Sequence, residues 1–384
     1  MPSYKLNRRA QCQQVSLILT MAKYAGISWF DFLGFAGTFA TLPFYVLWSV
    51  LVTALKKRRL TGLRKAALTS SARYINTRSS VAQLQYLSGT SPSVYASWAR
   101  RHGFPAVIED LRHDARLYWL GPKRTDKVIL YIPGGAFFAP ILSVALSFWN
   151  YVRKSMGGEG DVGLVVLQYS VLPEAGFPTQ LRQICGAIDH LLQSGTRPDN
   201  IHIVADSAGG NLVLQFFSQL LHPLENANVE PIPALRKPFG SVYLLSPWTN
   251  LQIAEQRGQK SADVINTKVL KVWAKSYIDT IPKGQEHYAS FLTPGKEDWF
   301  TGLGQFCNRI MVSFGGDECI KDDGVDVARS RLSQDGVDLR LEIQEGGVHD
   351  DPFWDFTSSD NPSSVGTLTP IIVEWLKEGL YSRS

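Results

Sequence analysis

Three hydrophobic rhythms follow one another along the chain. Residues 32–55, FLGFAGTFATLPFYVLWSVLVTAL, carry no charged side chain. At about 1.5 Å of rise per residue, roughly 20 such residues cross the hydrocarbon core of a bilayer. This run predicts a transmembrane helix preceded by an N-terminal segment, 1–31. Pro43 inside it is tolerated in membrane helices, and Trp29 and Trp48 suit the interfaces. A buried helix, or a hairpin bent at Pro43 that dips into one leaflet, fits the same residues. A cleaved signal peptide fits poorly: the apolar stretch is too long, and no small-residue cleavage site precedes the cluster Lys56, Lys57, Arg58 and Arg59.

Residues 56–125 are polar, mixed and helix-prone, with Tyr86, Tyr95 and Trp98 as apolar anchors. They read as a linker followed by cap helices. From 126 to 384 the rhythm changes again. The short apolar runs KVILYI (127–132), GLVVLQY (163–169), NIHIVA (200–205), SVYLLS (241–246), RIMVSF (309–314) and LRLEI (339–343) alternate with stretches of helical spacing. Buried strands alternating with helices predict an α/β domain around a mostly parallel sheet. An aromatic-rich interval near 252–302 breaks the alternation and reads as a cap insertion over the active site.

Composition narrows the function classes. With 45% hydrophobic residues in 384, the chain can bury one sizeable core and still carry extra segments. A formal charge of +5 without basic blocks or an aromatic-plus-basic pattern in the domain predicts no nucleic-acid partner. Cys12, Cys185, Cys307 and Cys319 are scattered, so neither a disulfide framework nor a zinc site is predicted. No metal or organic cofactor is implied, and no obligate protein partner is evident. The cations at 56–59, with Arg64 and Lys65, follow the apolar helix, which by the positive-inside tendency puts the domain in the cytosol.

The chemistry centres on IHIVADSAGGNL (201–212). A strand runs into Asp206-Ser207-Ala208-Gly209-Gly210 and a helical pattern follows, the context of a nucleophile elbow. An ordinary helix start capped by Asp206 or Ser207 is the bland alternative. Upstream, YIPGGAFF (131–138) ends the first strand of the sheet, where backbone donors for an oxyanion are needed. Gly134 and Gly135, with the N–H of Ala208, are the expected oxyanion hole. A serine needs a base oriented by a carboxylate, in the chain order Ser, acid, His. Of the seven histidines only His349 lies late enough. The acid belongs in the loop after RIMVSF, where Asp317, Glu318, Asp322 and Asp323 crowd together, and spacing alone leaves the choice open.

Together these motifs resemble the hormone-sensitive-lipase-like branch of the α/β-hydrolases, over residues 125–352. IPGGAF stands where that family has His-Gly-Gly-Gly, VLQYSVLPEAGFP (166–178) is similar to its Asp-Tyr-Arg-Leu-Ala-Pro-Glu segment, and SPWTNL (246–251) matches a further stretch. The resemblance implies Glu318 as the acid, with Asp317 second. Three departures stand out: Pro133 for the family histidine, Ala136 for the last glycine and Ala205 for the first glycine of the elbow. The layout is most similar to the fungal steryl acetyl hydrolases, which implies a single-pass endoplasmic-reticulum membrane protein with a lumenal domain, against the charge bias. The side is left open. The expected activity is hydrolysis of a hydrophobic ester (an acetylated sterol, a lipid ester or a secondary metabolite) through an acyl-enzyme, with membrane lipid as the other partner. A thioesterase or acyltransferase would use the same triad, and a non-catalytic binding protein would be expected to have lost part of it.

Overall fold

A computed structural model describes residues 27–55, 62–156, 161–225, 229, 232, 234–252 and 263–381. The N-terminal residues before 27, the cationic cluster at 56–59 and residues 253–262 of the expected cap insertion lie outside the described residues. In chain order the strands are β1 (Val107–Asp110), β2 (Arg116–Trp119), β3 (Val128–Ile132), β4 (Gly163–Gln168), β5 (Ile201–Asp206), β6 (Ser241–Leu245), β7 (Arg309–Gly315) and β8 (Asp338–Gln344). They form one sheet in the order β1-β2-β4-β3-β5-β6-β7-β8. From β4 to β8 all neighbours run parallel, while β1 and β2 join antiparallel at one edge.

The continuous apolar runs become the central strands because both faces of the sheet are covered. Along β3, Leu130 and Ile132 point into one core and Ile129 and Tyr131 into the other. On β6, Val242 and Leu244 share the first core, and Tyr243 and Leu245 the second. This is the two-residue alternation of a strand whose sides are both buried. Helices α6 (Thr179–Gln193) and α7 (Ser207–Leu221) fill the first core, α5 (Ser143–Ser155) and α11 (Leu368–Tyr381) the second.

The stretch 56–125 departs from its reading as linker and cap helices alone. It does hold α2 (Leu63–Arg78), α3 (Val81–Ser88) and α4 (Ser91–Arg101), but β1 and β2 follow within it, so the sheet begins before residue 126. The two strands have four residues each and sit at an antiparallel edge, joined through a turn with left-handed His113 and Asp114. Strands of four residues that carry Glu109, Asp110 and Arg116 lack the longer apolar run of the central strands.

Ahead of these lies α1 (Trp29–Leu55), which starts three residues before the expected segment. Among the described residues it is the one helix long and apolar enough to cross a membrane. It packs along α2, where Thr41 Oγ1 lies 2.7 Å from the Tyr74 hydroxyl and Ser49 Oγ 2.6 Å from Ser70 Oγ. In the expected cap region α8 (Thr267–Ile278) is the main element; α9 (Lys321–Val327) and α10 (Asp351–Trp354) follow β7 and β8.

Candidate active site

Strand β5 is buried along its whole length and delivers Ser207 to the start of α7 with a φ of 47°. An L-residue in this left-handed region stores roughly 1–3 kcal/mol of strain, a cost met mainly at functional turns. The turn closes only because Gly209 lacks a side chain. A Cβ there would run into the Ile132 carbonyl oxygen and lie 2.7 Å from the carbonyl carbon of Pro133. One residue on, a Cβ at Gly210 would come within 2.7 Å of the Pro247 Cβ.

Ser207 Oγ lies 2.9 Å from His349 Nε2, and His349 Nδ1 lies 2.7 Å from Glu318 Oε1. Glu318 is fully buried, and its other oxygen accepts from the Ser246 hydroxyl at 2.9 Å and the Gly315 N–H at 2.8 Å. Burial raises its carboxyl above the usual range even with His349 beside it. The neighbouring carboxylates lie elsewhere: Asp317 turns its backbone N–H to Gly347, Asp323 accepts from Asn250, and Asp322 pairs with Lys321.

A residue missing from the sequence reading holds the histidine loop. Asp263, fully buried, accepts from the His349 N–H at 2.9 Å and from the Cys319 N–H at 2.8 Å, so one carboxylate fastens the loops of both His349 and Glu318. Asp351 adds a second clamp, accepting from the Val348 N–H at 3.0 Å and from Lys65 Nζ of α2 at 2.5 Å. Neither lies in a motif, and only the folded chain brings Asp263 to the site.

Gly134 departs from its expected role. Its N–H donates to Asp206 Oδ1 at 3.0 Å, which also accepts from the Tyr131 hydroxyl at 2.6 Å, so that donor is already committed. Burial raises the Asp206 pKa to about 6 despite these two donors. Among the described residues the N–H groups of Gly135 and Ala136 meet no acceptor, and neither does that of Ala208 in the first turn of α7. Positive φ values of 113° at Gly135 and 49° at Ala136 turn this loop. Ala136, noted in the sequence only as a departure, therefore has a free N–H as Gly135 and Ala208 do.

Asp350 is the other residue the motifs did not reveal. Its Oδ2 lies 3.3 Å from His349 Nε2, the nitrogen that also faces Ser207, and its N–H donates to Ser246 Oγ at 3.2 Å. Burial holds the Asp350 carboxyl well above the usual range. Burial also pulls the His349 imidazole down, but the carboxylates of Asp350 and then Glu318 outweigh it and push its pKa up to about 10. The base must be neutral to take a proton, so kcat/KM rises with pH on a limb displaced above the ordinary histidine value of about 6.5. Asp350→Asn removes the carboxyl beside Nε2 and leaves Asp206, Asp263 and Glu318 around the ring. Its pH profile on a neutral ester is expected to move the acid limb down by about one unit or more. An unmoved limb would mean that Asp350 is uncharged when the base acts.

The sequence profile of the steryl acetyl hydrolases matches residues 113–357, well over half of the chain and every residue of the site except those contributed by α2 and α3. The chain belongs to the steryl acetyl hydrolase family. The mug81 protein of Schizosaccharomyces pombe, named provisionally as a steryl acetyl hydrolase, is 27% identical over 166 residues, 41% of this chain and 41% of that protein. Esterase LipU of Mycobacterium tuberculosis is 22% identical over 258 residues, 66% of this chain and 78% of LipU. The crystal structure of an esterase from the bacterial hormone-sensitive lipase family superposes with a TM-score of 0.59 at 20% identity, covering 83% of this chain and 99% of that one. That likeness establishes the fold, an α/β-hydrolase.

In this chain the loop with Pro133 is secured from outside. The Tyr169 hydroxyl donates to the Pro133 carbonyl at 2.7 Å, and Gln85 of α3, buried, donates to the carbonyls of Phe138 at 2.8 Å and Leu172 at 2.6 Å. The aromatic interval splits in two. Tyr277 and Trp273 of α8 pack on Phe137 and Phe138 of the loop, with ring centroids 3.8 and 5.2 Å apart. Trp299 sits at the far end of α7 instead, its Nε1 donating to Ser218 Oγ at 2.9 Å. Phe291 and Phe300 pack against each other in the core.

Proposed function

We propose that the chain hydrolyses carboxylic esters of an apolar alcohol through a serine acyl-enzyme, with Ser207 as nucleophile, His349 as base and Glu318 as the orienting acid. The observation that carries this reading is the unbroken contact from Ser207 Oγ through His349 to Glu318, at 2.9 and 2.7 Å. His349 Nε2 takes the Ser207 proton as Oγ attacks the ester carbonyl. The N–H groups of Gly135, Ala136 and Ala208 receive the oxyanion. His349 returns the proton to the departing alcohol, then activates the water that releases the acid. Glu318 stays ionised, fixes the ring orientation and balances the imidazolium.

The apolar-substrate half of the reading draws on Phe137, Phe138, Trp273 and Tyr277 beside the loop, and on the family's name. Helix α1, with a mean hydropathy of 1.7, supplies attachment to a membrane, where such esters dissolve. Hydrolysis of nitrophenyl esters from two to about twelve carbons, alongside fluorophosphonate labelling, tests the proposal. Turnover strongest on short acyl chains is expected, because the Ala136 methyl lies where the family has a glycine. Folded protein that neither turns over these esters nor labels would defeat it.

A further inference from the structure

The loop that carries His349 leaves β8 without a strand ladder to hold it, and side chains meet its backbone groups one by one. Asp351 Oδ2 accepts the Val348 N–H at 3.0 Å, and Asp263 Oδ1 the His349 N–H at 2.9 Å. Trp354 Nε1 donates to the His349 carbonyl at 3.0 Å, and Ser246 Oγ accepts the Asp350 N–H at 3.2 Å. The imidazole, 2.9 Å from Ser207 and 2.7 Å from Glu318, is therefore placed by where these four side chains stand.

Two of the four are buried carboxylates, and they are balanced differently. Asp263 takes three backbone N–H groups, those of Val264, Cys319 and His349. Asp351, with its side chain 1% exposed, takes only that of Val348 and the amide of Gln344. A buried carboxylate with so few donors is costly unless a cation stands against it. Among the described residues its one ion-pair partner is Lys65 of α2, whose Nζ lies 2.5 Å from Oδ1. The helix delivers that ammonium from a fixed position. Two and three turns further along, Arg73 Nη1 donates to the Asp263 carbonyl at 2.9 Å and Asn76 to the Val264 carbonyl at 3.1 Å. Helix α2 thus reaches both carboxylate clamps of the loop, and it lies outside residues 113–357, over which the family profile matches.

We propose that Lys65 is a positioning residue for catalysis: paired with Asp351, it keeps the Val348 N–H, and with it the His349 imidazole, in register with Ser207. The inference rests on the catalytic reading above and adds α2 to the parts that reading needs, although Lys65 touches no reacting atom. Without the ammonium, the Asp351 carboxylate turns toward solvent and releases Val348. The loop then loses the bond next to its histidine. A displacement of about 1 Å at the base is enough to cost about 10²-fold in rate.

The test compares three variants of the full chain: Lys65→Met, Lys65→Arg, and Lys65→Met combined with Asp351→Asn. Turnover of a nitrophenyl ester and the rate constant of fluorophosphonate labelling are read far below each melting temperature. Lys65→Met keeps the apolar stem and removes the charge. It is expected to lower kcat by about 10- to 100-fold, with KM within about twofold and labelling slowed by the same factor. Lys65→Arg should return kcat to within a few-fold, because a guanidinium pairs with the same carboxylate. The double variant should recover as well. Asparagine keeps an oxygen for the Val348 N–H and turns its NH₂ toward Gln344, whose buried Oε1 meets no partner and accepts it once that amide rotates. No buried charge is then left unpaired. Wild-type rates in Lys65→Met overturn the proposal. A double variant as slow as Lys65→Met overturns it too, because Lys65 would then not act through Asp351. So does a Lys65→Met chain that cannot fold, which would make the pair structural. A folded wild type that neither labels nor turns over defeats the catalytic reading and this inference with it; a wild type that does both leaves the variants to judge this inference alone.

Discussion

Ser207→Ala is expected to lower kcat on nitrophenyl esters by about 10⁴-fold or more, with KM little changed and fluorophosphonate labelling abolished. The loss is chemical because the variant should fold. Alanine keeps the Cβ, so the left-handed φ of 47° and its strain remain, and only the hydroxyl and its 2.9 Å contact to His349 go. The buried walls of the turn, Gly209 against Ile132 and Gly210 against Pro247, are untouched. The melting temperature should therefore stay within a few degrees of wild type. The residual rate measures what the donors of Gly135, Ala136 and Ala208 achieve without a nucleophile. A variant that retains a tenth of the wild-type kcat would remove Ser207 from the mechanism, whatever its labelling.

How far the site was legible depended on whether its determinants are local. The convergence of Ser207, Glu318 and His349 could be anticipated because each sits at the end of an apolar run, and the parallel sheet brings such ends to one edge. The choice of loop donor could not. Which N–H in YIPGGAFF points at the serine depends on the φ angles of Gly135 and Ala136 and on Asp206 capturing Gly134, and residue types alone do not encode these. Asp263 acts through bonds to Cys319 and His349, 56 and 86 residues away, so spacing carries no trace of it, and Asp351, which adjoins the histidine loop in sequence, shows its bond to Lys65 of α2 only in the fold. Asp350 was hidden differently. It adjoins His349 in sequence, yet its approach to Nε2 requires the left-handed φ of 52° seen only in the fold. In the sheet, β3 to β7 were readable as buried runs, and β8 from the apolar alternation of LRLEI. The edge pair β1 and β2 was not, because each strand has only four residues and Glu109, Asp110 and Arg116 flank the turn between them.

Glu318→Gln is expected to lower kcat by about 10³–10⁴-fold at neutral pH, while Asp317→Asn stays within a few-fold of wild type. The direction follows from the bonding around the carboxylate. Oε2 accepts from the Ser246 hydroxyl and the Gly315 N–H, both of which need an acceptor. A glutamine in the same pocket must keep its carbonyl oxygen there and so turns its amide NH₂ toward His349 Nδ1. That nitrogen then has to accept, which puts the ring proton on Nε2, and Nε2 can no longer take the proton of Ser207. The side chain keeps its size and its two donors, so packing is preserved and the melting temperature should move by only a few degrees. Asp317 makes its backbone bond to Gly347 with a main-chain N–H, which the asparagine retains. The comparison is read from kcat and melting curves of both variants. If Glu318→Gln kept more than about a tenth of the wild-type kcat, the imidazole would be oriented from its other side, where Asp350 already stands 3.3 Å from Nε2. Glu318→Gln combined with Asp350→Asn would then lose what the single variant kept.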